Sequence, residues 1–228
     1  MRLAARISLA IIVGTQLGIP ARAQSTDDSL KIYAVNVVKT TPFEKPFTGY
    51  GIYLGKGAVL TAAHVIGRWG FLKNPRVLIA GQDLPARIVK EGSTEDIDLT
   101  VITVDETSLP TGLRLRQNPI CKRPPRPGQS VIAVVPEETK RSHIISPMQI
   151  APGLRGRFNT LTSEVAEASG SGIFDADGKC LLGIMSRRIQ KYDYRMEAGK
   201  LIAEPVGFAG YFVPASQIAA FIPAEFRF

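Results

Sequence analysis

Short runs of β-branched and aromatic residues, each closed by glycine, proline or a polar cluster, recur along most of this chain. That rhythm predicts an all-β barrel or sandwich. In a first half the runs predict strands over 30–38, 49–54, 58–60, 77–79, 86–90 and 99–104. A second set covers 130–135, 148–151, 161–163, 172–174, 181–185 and 210–213. Between the sets, residues 118–127 carry four prolines, and proline has no N–H to give to a central strand. The chain therefore divides at this linker into 24–117 and 128–228, each with about six strands, as two packed barrels require. One helix is predicted, at 214–222, with Ser216 as its cap and Pro223 as its stop. No repeat with a period of 20–50 residues is present.

The first 23 residues read differently. Arg2 and Arg6 precede the short apolar run 7–13, and Ala21-Arg22-Ala23 has the form of a cleavage site. The run is too short to cross a bilayer, which needs about 20 residues. Removing 23 of the 228 residues leaves 205, beginning at Gln24, and lowers the net charge from +8 to +5. The basic clusters at 122–126, 140–141 and 187–188 lack interleaved aromatics, so no nucleic-acid platform is expected. Stable membrane insertion is not expected either. Export to a periplasm or beyond puts Cys121 and Cys180, the only cysteines, in an oxidising compartment. An even pair there predicts one disulfide. Neither cysteine has histidines or acids at zinc-ligand spacing, so no metal site is expected.

The chemistry concentrates in three segments. His64, one of two histidines, closes the run Ala-Val-Leu-Thr-Ala-Ala-His-Val at 58–65. Apolar strand residues lead into a turn of small side chains, which holds the imidazole at a sheet edge where it can accept a proton. The Gly-rich stretch 51–57 precedes it. This segment closely resembles the histidine motif of the trypsin-like (chymotrypsin-fold) serine proteases. The resemblance implies two packed antiparallel six-stranded β-barrels, a short C-terminal helix, and a Ser-His-Asp site in the cleft between the barrels. The family's acid motif runs Asp, apolar, small, apolar, apolar. Asp98-Leu-Thr-Val-Ile fits it better than the competing register from Asp96. The nucleophile region resembles Glu167-Ala168-Ser169-Gly170-Ser171-Gly172, followed by an Asp-Gly turn and a Leu-Gly-Ile return strand. Alignment from that strand puts the nucleophile at Ser169, with Ser171 the lesser candidate. The order His64, Asp98, Ser169 and the separations of 34 and 71 residues are those of short bacterial members.

The same resemblance assigns the oxyanion-hole donors to the backbone N–H groups of Glu167 and Ser169. Glu167 stands where the family has glycine. Ala168 stands where zymogen-type relatives carry an aspartate, so activation by a freed N-terminus is not expected. The primary pocket maps onto Ser163, onto Ser186, Arg187 and Arg188, and onto Gly210 in the final strand. Ser163 is neutral, which argues against Lys or Arg selection, while the two arginines offer charge pairing to an acidic side chain. The expected function is that of a serine endopeptidase acting on proteins or peptides without a cofactor. The alternative is a protease-fold binding or scaffolding protein in which Glu167 spoils the oxyanion hole. Oligomeric state is not legible in the sequence.

Overall fold

A computed structural model describes residues 27–41, 44–67, 74–163 and 168–227. The predicted leader and Glu167 lie outside the described residues. The chain folds as two closed six-stranded antiparallel barrels. The first comprises β1 (Ala34–Thr41), β2 (Glu44–Gly55), β3 (Ala58–Thr61), β4 (Asn74–Ile79), β5 (Gln82–Glu91) and β6 (Thr100–Val104), in the order β1-β2-β3-β6-β5-β4. The second comprises β7 (Ser130–Val134), β8 (Thr139–Ile145), β9 (Leu161–Thr162), β10 (Gly172–Asp175), β11 (Leu181–Glu197) and β12 (Lys200–Pro214), in the order β10-β11-β12-β9-β8-β7. Among the described residues there are three short α-helices: α1 (Ala63–Ile66), α2 (Thr111–Arg114) and α3 (Ala215–Phe221). Among the described residues no helix is long and apolar enough to cross a membrane.

Strand alternation sorts the core into three parts. On β2 the side chain of Tyr53 points into the first barrel beside Val35, Val59 and Ile102. Its neighbours Ile52 and Leu54 face the other way and join Leu60, Leu99, Ile132, Phe174 and Ile184 in the layer between the barrels. The second barrel closes on Val131, Ile173, Leu182 and Phe212. Because both faces of β2 are buried, its sequence is apolar without a break over Ile52–Leu54, each at most 1% exposed.

Several expected elements take another form. Residues 28–33 form a 3-10 turn rather than the start of a strand, with the Leu30 N–H bonded to the Asp27 carbonyl at 3.0 Å. Asp27 is itself buried, pinned to the second barrel by Arg141 at 2.6 Å and Lys179 at 2.7 Å. Its carboxyl is held below the usual value: the Lys179 bond dominates and, with Arg141, overrides the desolvation that would raise it. Residues 147–149 form a 3-10 turn in place of a strand, since Pro147 suits a first helical position and the Ser146 hydroxyl accepts from the Met148 N–H at 3.2 Å. Strand β8 escapes prediction because Lys140, Arg141 and His143 face solvent and only Ile144 and Ile145 are fully buried. Strands β11 and β12 run far past the predicted segments, as a hairpin turning through Ala198 and Gly199, both at positive φ. Ser216 lies inside α3, whose cap is Pro214.

The linker is tied to the second barrel. Ile120 bridges Leu181, the Cys121 N–H bonds the Leu181 carbonyl at 2.9 Å, and Cys121 is disulfide-bonded to Cys180. The cross-link spans 59 residues of sequence. Reduction, or replacement of both cysteines by alanine, is expected to lower the unfolding free energy by about 2–4 kcal/mol. Urea unfolding with and without reductant measures it.

Candidate active site

The imidazole owes its position to the strand before it. Strand β3 ends at Thr61, and the chain turns at once into the single helical turn of α1, whose Ala63, Val65 and Ile66 are buried. His64 is thereby left on the outside, with about a third of its side chain exposed. It opens onto a surface cleft of about 510 Å³ that Glu91, Thr94 and Glu95 also line.

Asp98 comes from the loop between β5 and β6. The loop folds back on itself through Gly92 N–H to Leu99 carbonyl at 2.8 Å and Ser93 N–H to Ile97 carbonyl at 3.0 Å. A side chain at Gly92 would collide with the Ile97 carbonyl oxygen. The closure drives Asp98 inward, to 3% exposure, and leaves Asp96 on the outer turn, bonded to Ser93. It is therefore Asp98, and not Asp96, that meets the histidine. Asp98 Oδ2 lies 2.8 Å from His64 Nδ1, and Oδ1 accepts the His64 backbone N–H at 3.1 Å. The Ser186 hydroxyl, from β11, donates to Oδ2 at 2.6 Å, and the Arg187 guanidinium comes within 3.9 Å of the same oxygen. Burial alone would push this carboxyl up. The bonds from His64 and Ser186 and the charge of the imidazole more than offset it, holding the carboxyl below its usual value. An ionised Asp98 requires a donor at Nδ1, which in the neutral ring leaves Nε2 as the lone-pair nitrogen.

The Ser169 loop leans on the first barrel beside His64. The Tyr50 N–H, from β2, donates to the Ser169 carbonyl at 3.0 Å, while the Tyr50 carbonyl accepts from the Thr61 hydroxyl at 2.6 Å. Gly170 turns there at φ 88°, and a Cβ at this position would run into the Tyr50 carbonyl oxygen. The Gly170 N–H then bonds the Met185 carbonyl at 2.8 Å, returning the loop to the second barrel. Ser169 is partly exposed. Among the described residues its hydroxyl makes no hydrogen bond to the imidazole. Ser171 is fully buried, its Oγ without a partner among the described residues.

The expected pocket residues divide. Ser163 lies on the strand pairing next to β8, its N–H bonded to the His143 carbonyl at 2.9 Å, its hydroxyl 3.2 Å from His143 Nδ1 and 3.0 Å from Ser142 Oγ. Gly210 pairs with Arg188 and Thr162, and a side chain there would press on Met185 and Thr162. Ser186 is 2% exposed, its hydroxyl turned to Asp98. Arg187 turns the same way, donating to the Thr94 carbonyl at 3.1 Å, and Arg188 lies over the Phe208 ring at 4.5 Å. His143, Arg157 and Tyr50 had no sequence signal: each enters through contacts with residues distant in sequence, His143 from β8, Tyr50 from β2 and Arg157 from the 155–157 turn. Among the described residues no cluster of three or more His, Cys, Asp or Glu is placed to hold a metal ion.

Residues 49–184, more than half of the chain, match the family model of the trypsin-like peptidase domain. The chain belongs to that family. None of the curated proteins matches its sequence. Among solved structures, this trypsin-like domain is similar to the Rv3671c protease of M. tuberculosis in its active form, with a TM-score of 0.58 at 15% identity over 96% of this chain and 92% of that one. The apo MamO protease domain of Magnetospirillum magneticum gives 0.54 at 18%, covering 85% of this chain and 97% of that one. The scabies mite inactivated protease paralogue S-I1 gives 0.53 at 16%, covering 86% and 95%. At these identities the likeness is one of fold.

The low carboxyl of Asp98 fixes a sign for stability. A depressed carboxyl stabilises the fold above its unfolded value of about 3.8, and that contribution is lost as pH falls through the lower folded value. The gap in unfolding free energy between wild type and Asp98→Asn is therefore expected to shrink as pH falls below about 4. Denaturant titrations of both proteins across that range measure it.

Proposed function

We propose that this trypsin-like domain is a serine endopeptidase in which Ser169 is the nucleophile, His64 the general base and Asp98 its orienting acid. The observation that carries the reading is the 2.8 Å contact of buried Asp98 with His64, on a chain whose Ser169 loop is hydrogen-bonded to β2, the strand paired with the one that leads to that histidine. With Nδ1–H held by the carboxylate, Nε2 takes the Ser169 proton as Oγ attacks a peptide carbonyl. The imidazolium then protonates the leaving amine, and a water repeats the sequence on the acyl-enzyme. The missing Ser169–His64 bond is in keeping with a free enzyme, where such bonds are often long and tighten on substrate. The N–H of Ser169 has no partner among the described residues and is available to an oxyanion, with the Glu167 N–H as the second donor.

No cofactor enters these steps, and the substrates are proteins or peptides. Ser163 brings no charge to the pocket floor, which disfavours Lys and Arg before the cut. The disulfide is in keeping with export, after removal of residues 1–23, to a periplasm or beyond. One departure favours a second reading. With Glu167 in the glycine position, the oxyanion hole can be unformed, and the protein would then bind without turnover, on the fold it shares with an inactivated mite paralogue.

A fluorophosphonate probe separates the two. Wild type is expected to label covalently, Ser169→Ala to lose the label and Ser171→Ala to keep it. His64→Ala is expected to cut peptide turnover by about 10⁴-fold or more. A folded wild type that takes no label favours the binding protein.

A further inference from the structure

Arg187 stands beside the site in a way that selection of an acidic substrate does not explain. Its Nη2 donates to the Thr94 carbonyl at 3.1 Å and lies 3.9 Å from Asp98 Oδ2. Its Nε donates to the Ser186 hydroxyl at 3.3 Å, the same hydroxyl that donates to Asp98. The guanidinium plane rests on Phe158, with Cζ 5.3 Å from the ring centroid. Phe158 is buried, braced edge-on by Tyr211 at 4.8 Å and flanked by Arg157 at 5.2 Å. Arg157 Nη2 in turn donates to the carbonyls of Thr94 and Glu95, both at 2.8 Å. Two arginines of the second barrel therefore grip the loop of the first barrel that delivers Asp98.

We infer that Arg187 is a positioning residue for the Asp98–His64 pair, working on the acid rather than on a substrate side chain. Both donors that Arg187 uses, Nε to the Ser186 hydroxyl and Nη2 to the Thr94 carbonyl, turn its guanidinium toward the Asp98 loop, with the Asp98 carboxylate 3.9 Å away. Its remaining effect is electrostatic. Asp98 Oδ2 is shared by His64, Ser186 and Arg187, and a permanent cation there limits how strongly the carboxylate holds a second positive charge on the imidazole. The other charged or titratable groups around Asp98 are Asp96 on its own loop, Arg157 on the 155–157 turn and Tyr211 on β12. None of these bonds to Oδ2, and Arg187 is the arginine that reaches within 3.9 Å of it. The kinetic side of this inference rests on the endopeptidase reading; the structural side does not.

The test uses the mature chain carrying Arg187→Gln or Arg187→Lys, with peptides that have Ala or Glu before the cut. Arg187→Gln is expected to lower kcat about 10-fold with KM within about twofold, equally for both peptides, and to move the acid limb of kcat/KM to higher pH. Arg187→Lys, which keeps the charge without the fork, is expected to restore the position of that limb while leaving kcat low. A loss confined to the Glu peptide and expressed in KM would make Arg187 a selector and overturn the inference, as would an unchanged kcat and acid limb. If wild type shows no Ser169-dependent turnover, the endopeptidase reading fails and proton NMR decides: the low-field Nδ1 proton of His64, sharp in wild type, is expected to broaden or vanish in Arg187→Gln, and its persistence overturns the inference. Should the Gln variant fail to fold by circular dichroism, the same readouts on Arg187→Lys carry the test, with broadening and lowered kcat expected and wild-type behaviour contradicting it.

Discussion

A carboxylate only 3% exposed is costly unless donors surround it, and Asp98 is surrounded from both barrels. The first barrel supplies the imidazole and the backbone N–H of His64; the second supplies the Ser186 hydroxyl and the nearby Arg187 charge. Neither barrel alone completes the set. The docking of the two barrels and the ionisation of one side chain are thus parts of a single arrangement, and the orientation of His64 follows from it.

The apolar layer between the barrels makes that docking specific. Ile52, Leu54 and Leu60 of the first barrel meet Ile132, Phe174 and Ile184 of the second, and all six are at most 1% exposed. Close packing of this kind tolerates little sliding. Hydrogen bonds then set the register at the rim: Tyr50 to the Ser169 carbonyl on one side of the cleft, Arg157 and Arg187 to the Thr94 loop on the other. Gly170 and Gly92 sit at the two closest backbone approaches, where a methyl group has no room.

Much of this was legible in the sequence where a local pattern carries a local cause. The apolar run into Thr61-Ala62-Ala63 specifies a strand and a tight turn, and His64 follows by position. The Asp98 register was readable because Asp98-Leu-Thr-Val-Ile fits the family's order of Asp, apolar, small, apolar, apolar, whereas the register from Asp96 puts Thr100 at an apolar position. Elements that depend on distant partners were not readable. Strand β8 presents a polar face and holds its place by pairing with β7 and β9. The β11–β12 hairpin leaves the barrel and loses the apolar alternation that marks a strand, while Leu30 resembles a strand residue yet is buried in a turn. The grip of Arg157 and Arg187 on Thr94 joins residues more than 60 apart in sequence, with nothing in either neighbourhood to announce it.

The account turns on the state of one imidazole, and the nitrogen chemical shifts of His64 at neutral pH read it directly. With only two histidines in the chain, a His143 variant assigns the signals. The account predicts a protonated Nδ1 and a lone-pair Nε2 in wild type, and loss of that preference in Asp98→Asn. A wild-type His64 that carries its proton on Nε2, or that interchanges freely between the two forms, would contradict it.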